Sequence, residues 1–291
     1  MWRPVVLLGS ALLLLTAGCT ASTPDKTPTT PPTGMFTSTT PPASALTWVI
    51  GRTALAGLRD AGMSSGQLSE LFNNSRTYIV GNSASTAESA NISDWTSRQS
   101  VTVTDLRPAG ITGAAAAVLY DVEDWSLTPK AQQQNPAKYE AEGYRLARAR
   151  GVVFIAAPAM DLVRVLDPSG SGSVTQRFLN LDLIGQAARY ADVVDIQAQG
   201  LEGGAQYTSF VTAAAQQARA ENPDVKVLAG LSTNPSGHTI SAQVLEADAN
   251  SVRGVVDGYW LNIPASGKAC PTCGTAKPQV AVPWLDQLLS G

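Results

Sequence analysis

The sequence predicts an α/β fold, a (β/α)8 TIM-like barrel that follows a signal peptide and a disordered linker. About 245 residues, 46–291, follow the linker, which is close to the usual length of such a barrel. Short apolar runs alternate with segments of helical periodicity, as in parallel βα units. No G-x-G-x-x-G follows a first strand and no G-x-x-x-x-G-K-S/T is present, which disfavours the alternative, a doubly wound nucleotide-binding sheet.

Eight apolar segments are predicted as strands, of which the first three are short and weakly patterned. Residues 46–50 (LTWVI) could form a strand or begin a helix. The run at 151–158 (GVVFIAAP) is continuously apolar, which is typical of a strand covered on both faces. The predicted strands are residues 46–50, 77–80, 101–103, 115–123, 151–158, 193–199, 225–232 and 256–263.

Helices are predicted in the segments between these strands. Asn135-Pro136 opens one of them, because proline is favoured in a first helical turn, and Gly151 ends it. Ser85 and Glu88 have the spacing of a capping box. The predicted helices are residues 52–72, 85–97, 136–150, 174–190, 205–221, 240–252 and 280–289.

Residues 1–18 are interpreted as a lipoprotein signal peptide. Arg3 precedes an apolar stretch at 5–15 that is too short to span a bilayer comfortably, and small residues follow it. Thr16-Ala17-Gly18-Cys19 resembles a bacterial lipobox, which implies that Cys19 carries fatty acyl chains such as palmitate. Thr16 stands where that pattern usually has Leu, and plain secretion with cleavage nearby is the alternative.

Residues 19–45 are dominated by Thr, Pro and Ser, a composition that cannot bury enough apolar surface to fold. They are interpreted as a tether that holds the barrel domain, residues 46–291, off the outer face of the cell membrane. The formal net charge of −3 provides no basic surface for nucleic acid. The lipid anchor and the tether therefore predict a membrane as one partner of this protein.

Two of the three cysteines, Cys270 and Cys273, stand together near the C-terminus. In an exported protein this spacing predicts a local disulfide. A single C-x-x-C lacks the second ligand pair of a zinc site, and His238, the only histidine, is distant in sequence. Neither a metal nor an organic cofactor is expected.

The strand at 115–123 ends in acidic residues, and this end of a parallel strand is where barrel enzymes place their chemistry. Because strand side chains alternate, Asp121 and Glu123 share one face. Trp125 follows them. On the same principle, later strands each present a polar face, which consists of Asp195, Gln197 and Gln199 in one case and Trp260 and Asn262 in the other.

Together these side chains have the composition of a saccharide site, with carboxylates and amides for hydrogen bonding, an indole for stacking and a proton donor. Each also has a structural interpretation. Asp121 and Glu123 could form salt bridges or cap the following loop, Asp195 could pair with a base, and the glutamines could be buried structural amides. Trp260 could belong to the core, Trp125 could only cover the end of the barrel, and His238 could be solvated.

Residues 114–263 resemble the family 18 glycoside hydrolases, the chitinase-like TIM barrels. Asp121-Val122-Glu123 is similar to the end of the family's D-x-x-D-x-D-x-E motif, and residues 258–262 (GYWLN) are similar to its eighth strand. Ala116 and Leu119 occupy the motif's first two Asp positions, and Gln197 or Gln199 stands where the family's sixth strand has Tyr. The chain as a whole also resembles exported barrels of actinobacteria, which implies no activity.

The resemblance implies that Glu123 is a general acid, that Asp121 is its partner and that Trp260 is a stacking floor. The leading hypothesis is hydrolysis of amino-sugar glycans by a membrane-tethered lipoprotein. Two alternatives remain, which are a carbohydrate-binding barrel without catalysis and a structural or assembly lipoprotein of the envelope.

Overall fold

The computed structural model describes residues 42–81, 95–106 and 115–290. The predicted signal peptide, nearly all of the predicted tether and most of the helix predicted at 85–97 lie outside these residues. Within the described ranges, no helix is both long and apolar enough to cross a membrane.

The described chain forms a closed barrel of eight parallel strands in sequence order, with β8 pairing with β1. The predicted (β/α)8 TIM-barrel fold is therefore confirmed. The strands are β1 (Thr47–Gly51), β2 (Thr77–Gly81), β3 (Arg98–Val103), β4 (Ala117–Val122), β5 (Val153–Pro158), β6 (Val193–Ile196), β7 (Lys226–Ser232) and β8 (Gly258–Asn262).

The strands are covered on the outside by helices. These are α1 (Arg52–Asp60), α2 (Ser65–Phe72), α3 (Lys130–Gln133), α4 (Pro136–Arg148), α5 (Val163–Leu166), α6 (Val174–Asn180), α7 (Leu183–Ala188), α8 (Tyr207–Glu221), α9 (Ala242–Val252) and α10 (Val282–Ser290).

Two segments predicted as single helices are each broken in two. The segment 52–72 divides at Gly62, which has a φ of 110° that side-chain-bearing residues rarely adopt. The segment 174–190 divides at Asp182, whose φ of 52° places it in the left-handed region. In both cases the apolar periodicity continues across the break, so periodicity alone could not reveal it.

The segment 46–50 forms a strand rather than a helix. In β1, Trp48 pairs with Thr77 of β2 and with Tyr259 of β8, which closes the barrel. The Trp48 ring lies 5.7 Å from the Trp284 ring of α10 and 5.2 Å from the Phe72 ring of α2. This buried aromatic cluster stabilises the junction between the two ends of the described barrel.

Strand side chains alternate between an outer layer, beneath the helices, and the barrel interior. In β4, Tyr120 and Val122 belong to the outer layer, while Ala117 and Leu119 face inward. The inner cluster is Val49, Tyr78, Val80, Ala117, Leu119, Ile155, Ala157, Val193, Leu228 and Trp260. These side chains form an apolar plug that fills the barrel interior. Polar side chains also face inward, beside and above this apolar plug.

At the C-terminal end of the strands, two loops are joined by Asn234, which follows β7. Its Nδ2 donates to the carbonyl oxygens of Pro264 at 3.1 Å and Cys273 at 2.9 Å. Cys270 and Cys273 form a disulfide with a Cα–Cα distance of 5.4 Å, as predicted. The loop after β8 is thus connected to the loop after β7.

Candidate functional site

The candidate site lies where β4 ends. Asp121 follows the inward-facing Leu119 by two residues and is itself buried, with 7% of its surface exposed. Glu123 comes directly after the strand and is partly exposed. The two carboxyl groups share a hydrogen bond. The C-terminal end of β4 therefore places one buried and one partly exposed carboxyl group next to each other at the barrel rim.

Burial raises the pKa values of both groups, but by different amounts. The pKa of Glu123 rises to about 9 through burial and the nearby charges of Asp121 and Asp161. Burial also raises the pKa of Asp121, to about 6, while hydrogen bonds from Gln197 and Glu123 oppose this rise. At neutral pH the pair therefore holds one proton, which Glu123 carries and donates to the Asp121 carboxylate.

Gln197, just after β6, connects this pair to the rest of the barrel. Its Nε2 donates to Asp121 Oδ1 at 2.8 Å and to the Ala157 carbonyl at 2.6 Å. The β-bridge between Ala159 and Gln197 holds the backbone at this position. Gln197 therefore orients the Asp121 carboxylate, which leaves Asp121 able to accept the Glu123 proton on its other oxygen.

Asp195 of β6 lies deeper in the interior and is fully buried, with 0% exposure. Neither of its side-chain oxygens has a hydrogen-bond partner among the described residues. The possible pairing of Asp195 with a base is therefore not found in the described structure. Burial raises the pKa of Asp195 well above its ordinary value, and the charge of Asp121 adds to this effect.

Asp161, which follows β5, is an acidic residue that the sequence analysis missed. Its Oδ1 accepts a hydrogen bond from the Asp124 backbone nitrogen at 2.9 Å, and Arg164 contacts its other oxygen at 3.0 Å. Its charge raises the pKa of both Asp121 and Glu123. Asp161 follows an apolar strand by only three residues, which is the signal that could have identified it.

Asp124 belongs to an ion-pair network beside the site. Lys130 and Arg164 each lie 3.0 Å from one of its carboxylate oxygens. These hydrogen bonds hold the pKa of Asp124 below its ordinary value. Both cations are therefore engaged with Asp124, and Arg164 also with Asp161, which leaves the Asp121 and Glu123 pair without a direct cationic partner among the described residues.

The predicted aromatic residues occupy different environments. Trp260 of β8 faces inward and packs in the apolar plug, with 9% of its surface exposed. Trp125 is partly exposed, and its Nε1 donates to Thr128 Oγ1 at 2.7 Å. Asn262 ends β8 with a partly exposed side chain. Trp125 and Asn262 thus present surface at the rim, whereas Trp260 presents little.

Gln199 extends into the interior against β7. A Cβ atom at Gly230 would lie 2.5 Å from the Gln199 amide group, so a larger residue at this position would require the end of the Gln199 side chain to move. The Gln199 carbonyl oxygen is buried without a hydrogen-bond partner among the described residues. Gln199 therefore reaches the interior but does not join the hydrogen bonds around Asp121.

Glu202, in the loop after β6, is a second carboxyl group that the sequence analysis missed. Its two oxygens accept hydrogen bonds from the Ser232 and Gly200 backbone nitrogens, at 2.7 and 2.5 Å. Burial raises its pKa to about 7 despite these bonds. Glu202 therefore connects the loop after β6 to the end of β7. His238, in the loop after β7, is exposed.

The acidic residues of the described segments do not form a metal site, since no group of His, Cys, Asp and Glu among them has a suitable arrangement. A surface cavity of about 320 Å³ lies elsewhere, at the start of α4 and beside Leu166 and Leu181. At the end of β4, the raised pKa of Glu123 makes this residue an acid near neutral pH, with Asp121 as its charged partner, so the pair can transfer a proton.

No protein-family model matches the chain, and no curated protein matches it. Among solved structures, a chitinase from Chromobacterium violaceum is 12% identical, with a TM-score of 0.47, and the match covers 85% of this chain and 100% of that chain.

Two further solved structures match at 10% identity, each over 85% of this chain. One is a phospho-2-dehydro-3-deoxyheptonate aldolase from Thermotoga maritima, with a TM-score of 0.27 and 69% of its chain covered. The other is a thiamine phosphate pyrophosphorylase from Pyrococcus furiosus, with a TM-score of 0.23 and 98% covered. The functional proposal therefore depends on the geometry of the site.

Proposed function

We propose that this protein is a glycoside hydrolase in which Glu123 protonates the oxygen of the bond that is cleaved. The observation that carries the proposal is the hydrogen-bonded pair at the end of β4, in which the accessible Glu123 holds a proton at neutral pH over a charged Asp121. General-acid cleavage of a glycosidic bond requires a carboxylic acid that is still protonated near neutral pH.

The contact between Asp121 and Glu123 also constrains the mechanism. Two carboxyl groups that flank a glycosidic bond are separated by about 5–5.5 Å in retaining enzymes and about 6.5–9.5 Å in inverting enzymes. Hydrogen-bonded carboxyl groups are closer than either, so Asp121 supports Glu123 and does not act as a nucleophile across the bond. The developing positive charge would be stabilised by Asp121 or by an acetamido group of the substrate itself. A water molecule then adds to the anomeric carbon and gives up a proton, which restores the acid form of Glu123.

Amino-sugar glycans are the substrate class that we propose, because substrate assistance needs an acetamido group and because the D-x-E motif resembles that of chitinase-like enzymes. The predicted lipid anchor at Cys19 would place the barrel on the outer face of the cell membrane, close to envelope polysaccharides. No cofactor enters the proposed reaction.

The test is incubation of the full-length protein with chitin oligosaccharides and peptidoglycan fragments, followed by mass spectrometry of the products. Glu123→Gln is expected to lower the cleavage rate at least 100-fold, because it removes the transferable proton while keeping the size of the side chain. Glu70→Gln, at an exposed position of α2, is the matched control and should cleave at the wild-type rate. Equal rates for Glu123→Gln and wild type would contradict the assignment.

A carbohydrate-binding barrel without catalysis is the second candidate. Leu119 packs in the inner cluster. The family 18 glycoside hydrolases, which this chain resembles, have Asp at this position, so the chain lacks one of the acidic residues of their motif. Binding of the same oligosaccharides by both wild type and Glu123→Gln, without products, would favour this candidate.

An assembly role is less well supported by the described surface. Val174, at 45% exposure, is the one large hydrophobic residue that is exposed in the described segments, and a docking surface needs a larger apolar patch. If the protein neither cleaves nor binds these oligosaccharides, the saccharide proposal fails and protein partners become the subject of the search.

A further inference from the structure

Asp195 is a buried acid that the proposed reaction does not yet use. It lies on the inner face of β6 with 0% exposure, and both of its oxygens lack hydrogen-bond partners among the described residues. Burying a carboxyl group without a partner is costly, and a strand interior would be more stable with an apolar residue at this position. The position therefore calls for an explanation other than stability.

The strand register places Asp195 two strands away from Asp121, with Ala157 of β5 between them. Asp121 pairs with Ala157 of β5. Ala156 pairs with Val194, and Ala159 bridges to Gln197, so Ala157 stands opposite Asp195. Asp121 and Asp195 thus flank Ala157 on alternate strands, and both side chains face the barrel interior because they alternate with the outer-layer residues.

Asp121 has few other groups from which it can accept a hydrogen bond. Gln197 and Glu123 are its donors in this structure. Its inward neighbours Leu119 and Ala157 are apolar. When Glu123 turns to a substrate, Asp121 loses one of its two donors, although it must then carry its charge beside the reacting group.

Asp195 has the properties of a replacement donor. Burying an unpaired carboxylate costs far more than burying the neutral acid, so full burial without a partner among the described residues favours the protonated form of Asp195, which carries a hydroxyl group. Burial, and after it the charge of Asp121, raise the pKa of Asp195 well above its ordinary value. That hydroxyl group has no acceptor among the described residues of the structure. Asp121 is the one charged group that acts on it in the described barrel.

We propose that Asp195 is a positioning residue that donates a hydrogen bond from its neutral carboxyl group to Asp121 whenever Glu123 is engaged with substrate. The proton stays on Asp195, so no charge develops in the interior. Glu123 gives its own proton to the leaving oxygen, and Asp121 remains a carboxylate with two donors, Gln197 and Asp195. This inference rests on the proposed function for its place in the cycle.

The test removes Glu123 as a donor and measures Asp121 directly. The full-length Glu123→Ala protein is labelled with carboxyl-¹³C aspartate, and the signal of Asp121, assigned from its loss in Asp121→Asn, is followed by NMR from pH 4 to 10. The titration is repeated with Asp195→Val, which cannot donate, and with Asp195→Asn, which can. Asp195→Ala is a second variant without a donor, in case valine impairs folding.

We expect the pKa of Asp121 to be about one unit higher with Asp195→Val or Asp195→Ala than with Asp195, because the carboxylate loses a donor. With Asp195→Asn it should stay within a few tenths of a unit. Equal values in all four proteins would overturn the inference, and so would an Asn variant that shifts as far as the Val variant.

Because this titration needs no substrate, it tests Asp195 even if the protein cleaves nothing, a result that would overturn only the proposed function. If cleavage occurs, Asp195→Val in the otherwise wild-type protein should lower kcat about 10-fold with little change in KM. Asp195→Asn should keep most of the activity. A purely structural Asp195 would instead give a more stable Val variant with unchanged kcat.

Discussion

The positions of Asp121 and Glu123 along the chain determine which of the two carboxyl groups holds a proton. The two side chains point to the same face because they are two positions apart, and at this separation they share a hydrogen bond. Two carboxyl groups in contact within a buried site cannot both ionise at low cost, so their pKa values separate. Glu123, whose pKa is raised the further, becomes the acid, and Asp121 the carboxylate.

The pH dependence of cleavage follows from this separation. The active form needs Asp121 ionised, which holds above a pH of about 6, and Glu123 protonated, which holds below a pH of about 9. We therefore expect a bell-shaped profile of kcat/KM with limbs near these values. The profile is measured with a cleaved oligosaccharide from pH 4 to 10. A rate that keeps rising above pH 9 would contradict the role of Glu123 as an acid.

Glu140 of α4 is a buried acid that lies outside the candidate site. Its exposure is 1%, and neither of its oxygens has a hydrogen-bond partner among the described residues. Burial raises its pKa to about 8. Because the folded state holds this proton more tightly than the unfolded state, the contribution of Glu140 to stability is most favourable below pH 4.5 and is lost as the pH rises to 8.

Replacing Glu140 should therefore change stability in a pH-dependent way. We expect the free energy of unfolding of Glu140→Leu, relative to wild type, to increase by roughly 1.4 kcal/mol per pH unit between about 4.5 and 8. Urea unfolding at three pH values measures this difference. Glu70→Leu, at an exposed position of α2, controls for placing leucine on a helix. A difference that does not vary with pH would contradict the burial of an unpaired Glu140.

At the scale of elements, α4 approaches β5 closely because Gly143 has no side chain. A Cβ atom at this position would lie 2.6 Å from the Phe154 ring and 3.1 Å from the Leu106 side chain. Phe154 is fully buried, so the ring has little room to move. The distance between this helix and the sheet thus depends on a glycine within the helix.

Gly143→Ala should destabilise the protein by about 1–2 kcal/mol, because overpacking outweighs the gain of about 1 kcal/mol in helix propensity. Gly57→Ala on α1 is the matched control. Its Cβ would lie 3.4 Å from Pro278, an ordinary contact, so the same substitution should stabilise by about 0.5–1 kcal/mol. Urea unfolding measures the change in the free energy of unfolding of each variant, which should be opposite in sign. A Gly143→Ala protein as stable as wild type would contradict the close packing.

At the scale of the whole molecule, parallel strands bring all their C-terminal ends to one rim. Residues from β4, β6 and the loop after β5 meet there although they are separated by up to 76 positions, as in the Asp121–Gln197 hydrogen bond. The disulfide loop after β8 is connected to the loop after β7 at the same end by Asn234. A single rim therefore carries both the candidate chemistry and the loops that surround it.

The lipid anchor predicted at Cys19 concerns the whole molecule, because it would determine where the protein is found in the cell. If Cys19 carries acyl chains, the full-length protein expressed in a bacterial host should appear in the membrane fraction and incorporate labelled palmitate. Cys19→Ala should lose the label and move to the soluble or secreted fraction. Retention of Cys19→Ala in the membrane fraction would contradict a lipid anchor at this residue.

Several features of the fold could be predicted because they depend on local pattern. The alternation of apolar runs with helical periodicity predicted eight parallel strands, and two-residue periodicity predicted that Leu119 and Asp121 share a face of β4. The disulfide followed from the spacing of Cys270 and Cys273. Helix breaks at Gly62 and Asp182 were missed, because a single residue with positive φ does not interrupt the apolar pattern around it.

The sequence by itself determined the barrel, the direction of each strand and the acidic end of β4, because these depend on apolar periodicity and nearest neighbours along the chain. Only the tertiary structure decided that Gln197 bonds to Asp121 and that Asp161 acts on the same carboxyl groups. It also decided that Asp195 has no hydrogen-bond partner in the described part of the chain. The physical reason is barrel closure, since the register between strands and the burial it produces determine which polar groups meet and which proton each one holds.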